Sequence, residues 1–209
     1  MPNPDDELKA DAVDLAFALR GRAIMADYAD RLRGELQRCL PWLDGEPQAG
    51  VHPLGGLSDG DGERYLSGRS RLTLRVPRGR IEQAQALSGR QLDLGGAAEV
   101  GRTTLRELSP ATVLYSSFVA CGPADEAAFM AKCQSEIVDL GFRHARLICG
   151  KARRASAGGG EVFGFSIMVH GVSAAESLRL QVIGLGGERL LGCGVFVAHK
   201  SIAGVGDEA

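Results

Sequence analysis

Four histidines could perform proton transfer, because the unperturbed pKa of an imidazole lies near neutral pH. His52 lies in a stretch rich in glycine and proline, where Pro53 favours an extended backbone and the nearby glycines leave room for a substrate. His144 is predicted on the surface, His170 in a turn before a glycine, and His199 at the end of the last predicted strand. A lone histidine in a loop is more often a solvated side chain than a catalyst, so position alone does not choose among the four.

Two arginine-rich stretches could bind a ligand that carries phosphate, since guanidinium groups pair with phosphate in a bidentate geometry. Lys151, Arg153 and Arg154 precede three consecutive glycines and predict a basic turn at a hairpin tip. In the other stretch, arginines alternate with apolar residues, which predicts a half-buried strand with its arginines on one face. These arginines are Arg69, Arg71 and Arg75. Each stretch could equally be a solvated turn or the wet face of a sheet.

A glycine-rich segment at residues 184–196 is the most distinctive feature of the chain. Glycine lets backbone amides approach a phosphate closely, and Arg189 adds a positive charge to the same segment. The segment lies between a predicted helix and a predicted strand, which reverses the dinucleotide-binding arrangement and argues against that class. A tight turn with unusual backbone dihedrals would also explain the glycines, which are Gly184, Gly186, Gly187, Gly192 and Gly194.

The overall charge gives little sign of a nucleic-acid partner, because the formal net charge of the 209 residues is −2. The acids are concentrated at the ends, with five in the first fourteen residues and two in the last three. Without those terminal segments the chain carries 23 basic and 19 acidic residues, which is compatible with a basic face. Arginine greatly outnumbers lysine, although a GC-rich genome would produce the same bias.

The cysteines and the hydropathy pattern limit the class of protein further. The five cysteines are scattered and form no Cys-x-x-Cys pair, so neither a disulfide framework nor a zinc site is expected, and we interpret them as buried thiols. There is no apolar run of about 18 residues, and the acidic N-terminal segment does not resemble a signal peptide. We therefore expect a cytoplasmic protein with no membrane contact, no metal and no other cofactor.

The predicted helices and strands follow one order twice. In the first half we predict a strand at residues 13–19, a helix at 27–40 capped by Asp27, a long loop at 45–62, a strand at 69–76, a helix at 80–87 and a terminal strand or hairpin at 91–108. In the second half we predict a strand at 113–120, a helix at 124–140, a strand at 146–149, the basic turn at 151–160, a strand at 161–169, a helix at 173–183 and a strand at 194–200.

This order predicts an α+β protein made of two tandem ferredoxin-like (RRM-like) βαββαβ units. The units are placed at residues 13–109 and 110–203, after a disordered acidic tail at residues 1–12. Ser173, with Glu176 three residues later, predicts a capping box at the start of the last helix. Sheets of this type bind single-stranded RNA through aromatic side chains, but only 5% of residues are aromatic here, so base stacking on the sheet is not expected.

Several motifs together resemble one family. The glycine-rich segment and the flanking Val197-Ala198-His199-Lys200-Ser201-Ile202 are similar to the C-terminal region of the CRISPR-associated repeat-processing endoribonucleases, the Cas-six family, in its short type I form. Asp14-Leu15-Ala16-Phe17 and His52-Pro53-Leu54 also resemble that family. The resemblance extends over nearly the whole chain, including its tandem layout.

The resemblance implies an endoribonuclease that cuts the CRISPR repeat stem-loop by attack of a ribose 2′-hydroxyl, leaving a 2′,3′-cyclic phosphate and a 5′-hydroxyl without a metal. It implies His52 as the proton acceptor, with Tyr28 orienting or sharing the proton and His199 as second choice. It implies guide RNA and other effector-complex subunits as partners. Residues expected to bind RNA are Lys151, Arg153, Arg154, Gly184, Gly186, Gly187, Arg189, Gly192, Gly194, Lys200, Arg69 and Arg71.

Three alternatives stay open. The same fold could hold guide RNA as a non-catalytic subunit. His199-Lys200-Ser201-Ile202 matches the His-x-Ser/Thr motif of the 2H phosphoesterases, but those enzymes need two copies, and neither His170 nor His52 supplies a second with the right spacing and hydroxyl. A small-molecule enzyme with this fold would instead contain an enclosed apolar pocket and would not bind RNA.

Overall fold

The computed structural model describes residues 9–55, 57–58, 62–120, 122 and 125–199. Its first half contains β1 (Ala12–Arg20), β2 (Ala23–Met25), α1 (Ala29–Cys39), β3 (Gly50–Val51), β4 (Leu57–Ser58), β5 (Glu63–Tyr65), β6 (Arg71–Pro77), α2 (Ile81–Gln85), β7 (Gln91–Asp93) and β8 (Ala97–Glu107). Its second half contains β9 (Val113–Val119), α3 (Glu126–Asp139), β10 (Arg146–Ala157), β11 (Gly160–His170), α4 (Ala174–Ile183) and β12 (Val197–Ala198).

The two halves repeat the same sheet topology. The first sheet has the order β3-β6-β1-β8-β7 and the second has the order β10-β11-β9-β12, with all neighbours antiparallel. In the first sheet β1 lies between β6 and β8, with β3 at the edge beyond β6. In the second sheet β9 lies between β11 and β12, with β10 at the edge beyond β11. This is the order of the ferredoxin-like unit, so the prediction of two tandem units is confirmed.

Each unit buries one face of its sheet against its helices. In the first unit, Leu15 and Phe17 on β1 alternate with residues of the opposite face and pack with Leu32 and Leu36 of α1. The second unit has a separate core around α3, formed by Phe129, Cys133 and Ile137 with residues of β9 and β11. The other face of the first sheet packs partly against α4 of the second unit, through Ala12 and Arg75.

Of the two helix caps predicted from the sequence, the one at α4 is confirmed and the one at α1 is wrong. The capping box of Ser173 and Glu176 is present at the start of α4. The prediction that Asp27 caps the first helix is wrong, because α1 begins after Tyr28 and has no side-chain cap. The Asp27 carboxylate instead accepts a hydrogen bond from the Ser156 hydroxyl of the other unit.

The prediction of a basic turn at residues 151–160 is wrong, because most of this segment is strand. β10 and β11 form one long hairpin whose turn is only Gly158 and Gly159, both with positive φ. A register shift between Cys149 and Ala152 interrupts the pairing. The last strand is also shorter than the predicted 194–200, because the glycine-rich segment reaches nearly to β12.

The N-terminal boundary and the thiols need smaller corrections. Ala10 and Ala12 are buried against α4, so chain packing begins before the predicted boundary at residue 12. Four cysteines are free in the described part of the chain: Cys133 and Cys193 are buried as predicted, while Cys39 and Cys149 are partly exposed. Cys121 lies outside the described residues. No helix among the described residues is long and apolar enough to cross a membrane.

Candidate active site

His52 lies directly after the short edge strand β3. Its backbone N–H donates a hydrogen bond to the Thr73 carbonyl at 2.9 Å, which fixes the segment against β6. The imidazole Nε2 lies 3.1 Å from Asp14 Oδ1 on β1, and the side chain is 16% exposed. Nε2 itself is fully buried, and its N–H direction does not point at an acceptor among the described residues. The contact is therefore a close approach of ring and carboxylate rather than an aligned hydrogen bond.

Asp14 also pairs with Arg75, which is buried and contributes two donors to the carboxylate. Arg75 Nε lies 2.8 Å from Asp14 Oδ1, and Nη2 lies 2.9 Å from Oδ2. Burial alone would raise the pKa of Asp14, but His52 and Arg75 outweigh it and hold that pKa well below its usual range. Asp14 is therefore a fixed negative charge beside His52.

The interpretation of the β6 arginines as a solvent-exposed face does not hold for Arg75. Its side chain is 1% exposed, and Nη1 donates to the carbonyls of Gln181 and Phe196 in the second unit. Arg71 is exposed on the same strand face and donates to nearby backbone carbonyls, and Arg69 is exposed before the strand begins. Only the latter two arginines are in a position to meet a ligand.

Tyr28 positions the chain that follows His52. Its hydroxyl accepts a hydrogen bond from the Leu54 backbone N–H at 2.6 Å, and the Arg64 guanidinium lies 5.6 Å from the centre of its ring. Burial raises the pKa of Tyr28, against the smaller lowering effects of Leu54 and Arg64. The phenol therefore stays protonated at neutral pH and links α1 to the segment that carries His52.

A cavity of about 300 Å³ opens between the two units at the start of α1. It brings together Tyr28, which was predicted to be catalytic, with Arg153 and Arg154, which were predicted to bind RNA. His52 is not among the residues that line the cavity, although the adjoining Pro53 is. The complete lining consists of Ala26, Asp27, Tyr28, Ala29, Pro53, Arg64, Ser117, Phe118, Arg153, Arg154, Ala155, Leu191 and Gly192.

Arg64 is a residue of this cavity that the sequence did not indicate. It lies on β5 of the small sheet β2-β5-β4, and its guanidinium donates to the Leu54 carbonyl at 3.3 Å. No periodic pattern distinguishes Arg64 from the other arginines, because its place depends on contacts with Tyr28 and Leu54, which are distant in sequence. It adds a third guanidinium to the cavity wall, opposite the two from β10.

Lys151, Arg153 and Arg154 are exposed on β10 rather than in a turn. The tip of the hairpin reaches α1, where the Gly158 backbone N–H donates to Asp30 Oδ1 at 3.2 Å. Together with the bond between Ser156 and Asp27, this contact holds the hairpin across one side of the cavity. Lys151 does not line the cavity.

The glycine-rich segment is explained mainly by close packing. A Cβ on Gly184 would lie 1.8 Å from Arg189 Nη1, and a Cβ on Gly194 would lie 2.2 Å from the Leu185 carbonyl oxygen. Both glycines have positive φ, as do Gly186 and Gly192. Gly187 has open space around its Cα, and only Gly192 of these five glycines lines the cavity.

Arg189 has a structural environment that differs from the predicted contact with phosphate. Its guanidinium donates to carbonyls of both units, which belong to Gln48, Ala49, Val182 and Gly194. Burial, and then the nearby charge of Arg75, lowers the pKa of Arg189 to about 10, so it remains a cation at neutral pH. With its donors committed to carbonyls, Arg189 holds the segment in place instead of facing a ligand.

The remaining predicted residues lie apart from the cavity. His199 is exposed, with its ring centre 5.5 Å from that of Tyr115, His144 is exposed, and His170 is partly buried. None of these three histidines is among the residues that line the cavity. Lys200 lies outside the described residues. In the part of the chain that is described, no group of three or more His, Cys, Asp or Glu residues could hold a metal ion.

Comparison with known proteins gives a consistent result. Residues 13–201 match the Cas6 family, described as Cas6 Crispr. The chain is 36% identical over 187 residues to the CRISPR-associated endonuclease Cas6 of Myxococcus xanthus (strain DK1622), a match that covers 88% of this chain and 80% of that relative.

Solved structures agree with the fold. A structure described under the characterisation of a Cas6-related gene from Pyrococcus furiosus is similar with a TM-score of 0.66 and 13% identity, covering 89% of this chain and 98% of that one. A structure described as an RAMP protein binding different RNA substrates is similar with a TM-score of 0.63 and 14% identity, covering 90% and 100%. At such low identity these two show the fold alone. The family match and the sequence relative go further, and the chain belongs to the Cas6 family of CRISPR proteins.

Proposed function

We propose that this protein is a metal-independent endoribonuclease that binds the CRISPR repeat stem-loop and cuts the precursor to give guide RNA. The observation that carries the proposal is the match along 88% of the chain to a CRISPR-associated endonuclease. The cavity between the units supports it, because three arginines and a phenol line an opening large enough for a nucleotide phosphate and ribose.

In the proposed reaction, a ribose 2′-hydroxyl attacks the adjacent phosphorus while the bond from phosphorus to the 5′ oxygen breaks. His52 accepts the 2′ proton, and the leaving oxygen takes a proton from water to become a 5′-hydroxyl. Arg64, Arg153 and Arg154 stabilise the charge that develops on the phosphate. RNA bound in the cavity would pass Pro53 and so bring a ribose next to His52.

The test is cleavage of the repeat RNA encoded beside the gene, with purified protein in excess EDTA. We expect one defined cut in the repeat and a 3′ end that is sensitive to cyclic-phosphate-specific treatment. We also propose that the protein stays bound to the 3′ stem-loop and joins other effector subunits, which predicts about one turnover per protein molecule. Cleavage that requires added Mg²⁺ would contradict the proposal.

One observation favours a second candidate, a non-catalytic subunit that holds guide RNA. None of the four histidines is among the residues lining the described cavity, and His52 Nε2 is buried. The same assay separates the two functions, since a scaffold would bind the repeat tightly and leave it intact.

The arginines of β10 provide a test of where RNA binds. Replacing Arg153 and Arg154 together with alanine is expected to weaken repeat-RNA binding about tenfold or more and to reduce the slope of log K against log salt by up to about 2. Arg146→Ala is the matched control, because Arg146 is exposed at the other end of the same strand and does not line the cavity. Fluorescence anisotropy across a salt series measures both quantities, and equal effects in the two variants would place the RNA elsewhere.

A further inference from the structure

The contact between His52 and Asp14 restricts how the imidazole can act. Nε2 is buried and lies 3.1 Å from Asp14 Oδ1, so it cannot receive a proton directly from RNA. The exposed part of the His52 side chain lies on its other atoms. If His52 takes part in proton transfer, the accepting atom is therefore Nδ1.

The charge of Asp14 determines which ring nitrogen carries the proton. A neutral imidazole has one N–H and one lone pair. A lone pair on Nε2 would lie 3.1 Å from the negative charge of Asp14 and be repelled by it, whereas an Nε2–H is attracted to that charge even without hydrogen-bond alignment. The Nε2–H tautomer leaves the lone pair on Nδ1, which is the form that a proton acceptor needs.

Asp14 is held in this position by groups from both units. Arg75 binds both carboxylate oxygens, and its remaining nitrogen donates to the carbonyls of Gln181 and Phe196 in the second unit. Arg189, a partly buried cation in this region, is close enough to Asp14 and Arg75 to interact with both charges. The carboxylate therefore has little freedom to rotate away from His52.

We infer that Asp14 is a positioning residue for His52, setting the Nε2–H tautomer and the ring orientation so that Nδ1 accepts the ribose proton. This inference rests on the proposed function. It assigns a second role to the ion pair with Arg75, because the same pair that joins the two units keeps Asp14 ionised and directed at the imidazole.

The first test needs no substitution. In the ¹⁵N long-range correlation spectrum of the wild-type protein, recorded at a pH where the nitrogen shifts show a neutral ring, His52 is expected as the Nε2–H tautomer. Its resonances are assigned by their loss in His52→Ala. A predominant Nδ1–H tautomer for His52 would overturn the inference.

The second test is Asp14→Asn, which keeps the shape of the side chain and removes its charge. Single-turnover cleavage is expected to slow about ten- to a hundredfold, while the Kd for repeat RNA stays within about twofold and the His52 spectrum loses its single tautomer. Glu107→Gln is the matched control, because Glu107 also pairs with an arginine, Arg78, at the edge of the same sheet without contacting a histidine. That variant is expected to cut at the wild-type rate.

The outcomes are distinguishable from a failure of the proposed function. If the wild type cuts and Asp14→Asn cuts equally fast with an unchanged tautomer, Asp14 has no positioning role, although the nuclease assignment stands. A variant that loses rate and RNA affinity in equal proportion would show a structural role only. If the wild type does not cut at all, the nuclease assignment fails, and with it the inference, whatever the tautomer.

Discussion

Replacing His52 with alanine is expected to lower the single-turnover rate of repeat-RNA cleavage by about two to four orders of magnitude. The reason is that the variant removes the one imidazole held next to the cavity, between the carboxylate of Asp14 and the segment fixed by Tyr28. RNA affinity is expected to change by less than about twofold, since the arginines of the cavity are untouched. Denaturing gels with end-labelled repeat RNA measure the rate, and anisotropy measures the affinity.

His144→Ala is the matched control for this substitution, because His144 is exposed and does not line the cavity. We expect it to cut at the wild-type rate. Full activity in His52→Ala would exclude His52 as the base and direct the same experiment to Tyr28 and then to His199. Loss of both cutting and binding in His52→Ala would instead indicate that the segment after β3 had moved.

Replacing Arg75 with methionine is expected to lower the free energy of unfolding by about 3–5 kcal/mol, the range found when one partner of a buried ion pair is removed. Arg75 is 1% exposed, and its loss leaves Asp14 without its principal counter-charge and two carbonyls of the second unit without their donor. Urea denaturation followed by circular dichroism measures the change at pH 7.

Arg71→Met on the same strand is the control for this effect. Arg71 is exposed and donates only to neighbouring carbonyls, so a change of about 1 kcal/mol or less is expected. If the two variants are equally stable, the buried pair contributes little to the fold.

The same pair predicts how stability depends on pH. The pKa of Asp14 in the folded protein lies well below its ordinary value, because His52 and Arg75 outweigh the opposing effect of burial. Its ionised form therefore stabilises the fold above the unfolded-state pKa of about 4, and this stabilisation is lost as the pH falls below that value. In Arg75→Met the pKa of Asp14 in the folded protein moves up toward its unfolded-state value, so acidification is expected to cost less stability and the loss to end at a higher pH, which the same denaturation series at lower pH would show.

Local patterns in the sequence were sufficient for most of the architecture. The alternation around Leu15 and Phe17, the helical spacing of Leu32 and Leu36, and the capping box at Ser173 are properties of short segments, and each corresponds to an observed element. The repeated order of these elements then predicted both sheets, because few connections are possible for a split βαβ unit.

The site was harder to predict because it depends on contacts between distant segments. Arg75 and Arg71 are four residues apart on one strand face and have the same sequence signature, yet one is buried by the second unit and the other is exposed. Arg189 looks like a phosphate ligand in a flexible glycine segment, but the glycines bring carbonyls toward its guanidinium. Arg64 lies in the cavity because β5 of the small third sheet brings its guanidinium to the Tyr28 ring and the Leu54 carbonyl.

Two guanidinium groups, one buried and one partly buried, join the two halves of this internal repeat. Arg75 from the first unit binds carbonyls of the second, and Arg189 from the second unit binds carbonyls of the first. Each half thus supplies the cation that the backbone of the other half requires. The two halves of the duplication therefore depend on each other for hydrogen bonds. If the chain were divided between them, each half would lose these partners and would not be a complete domain.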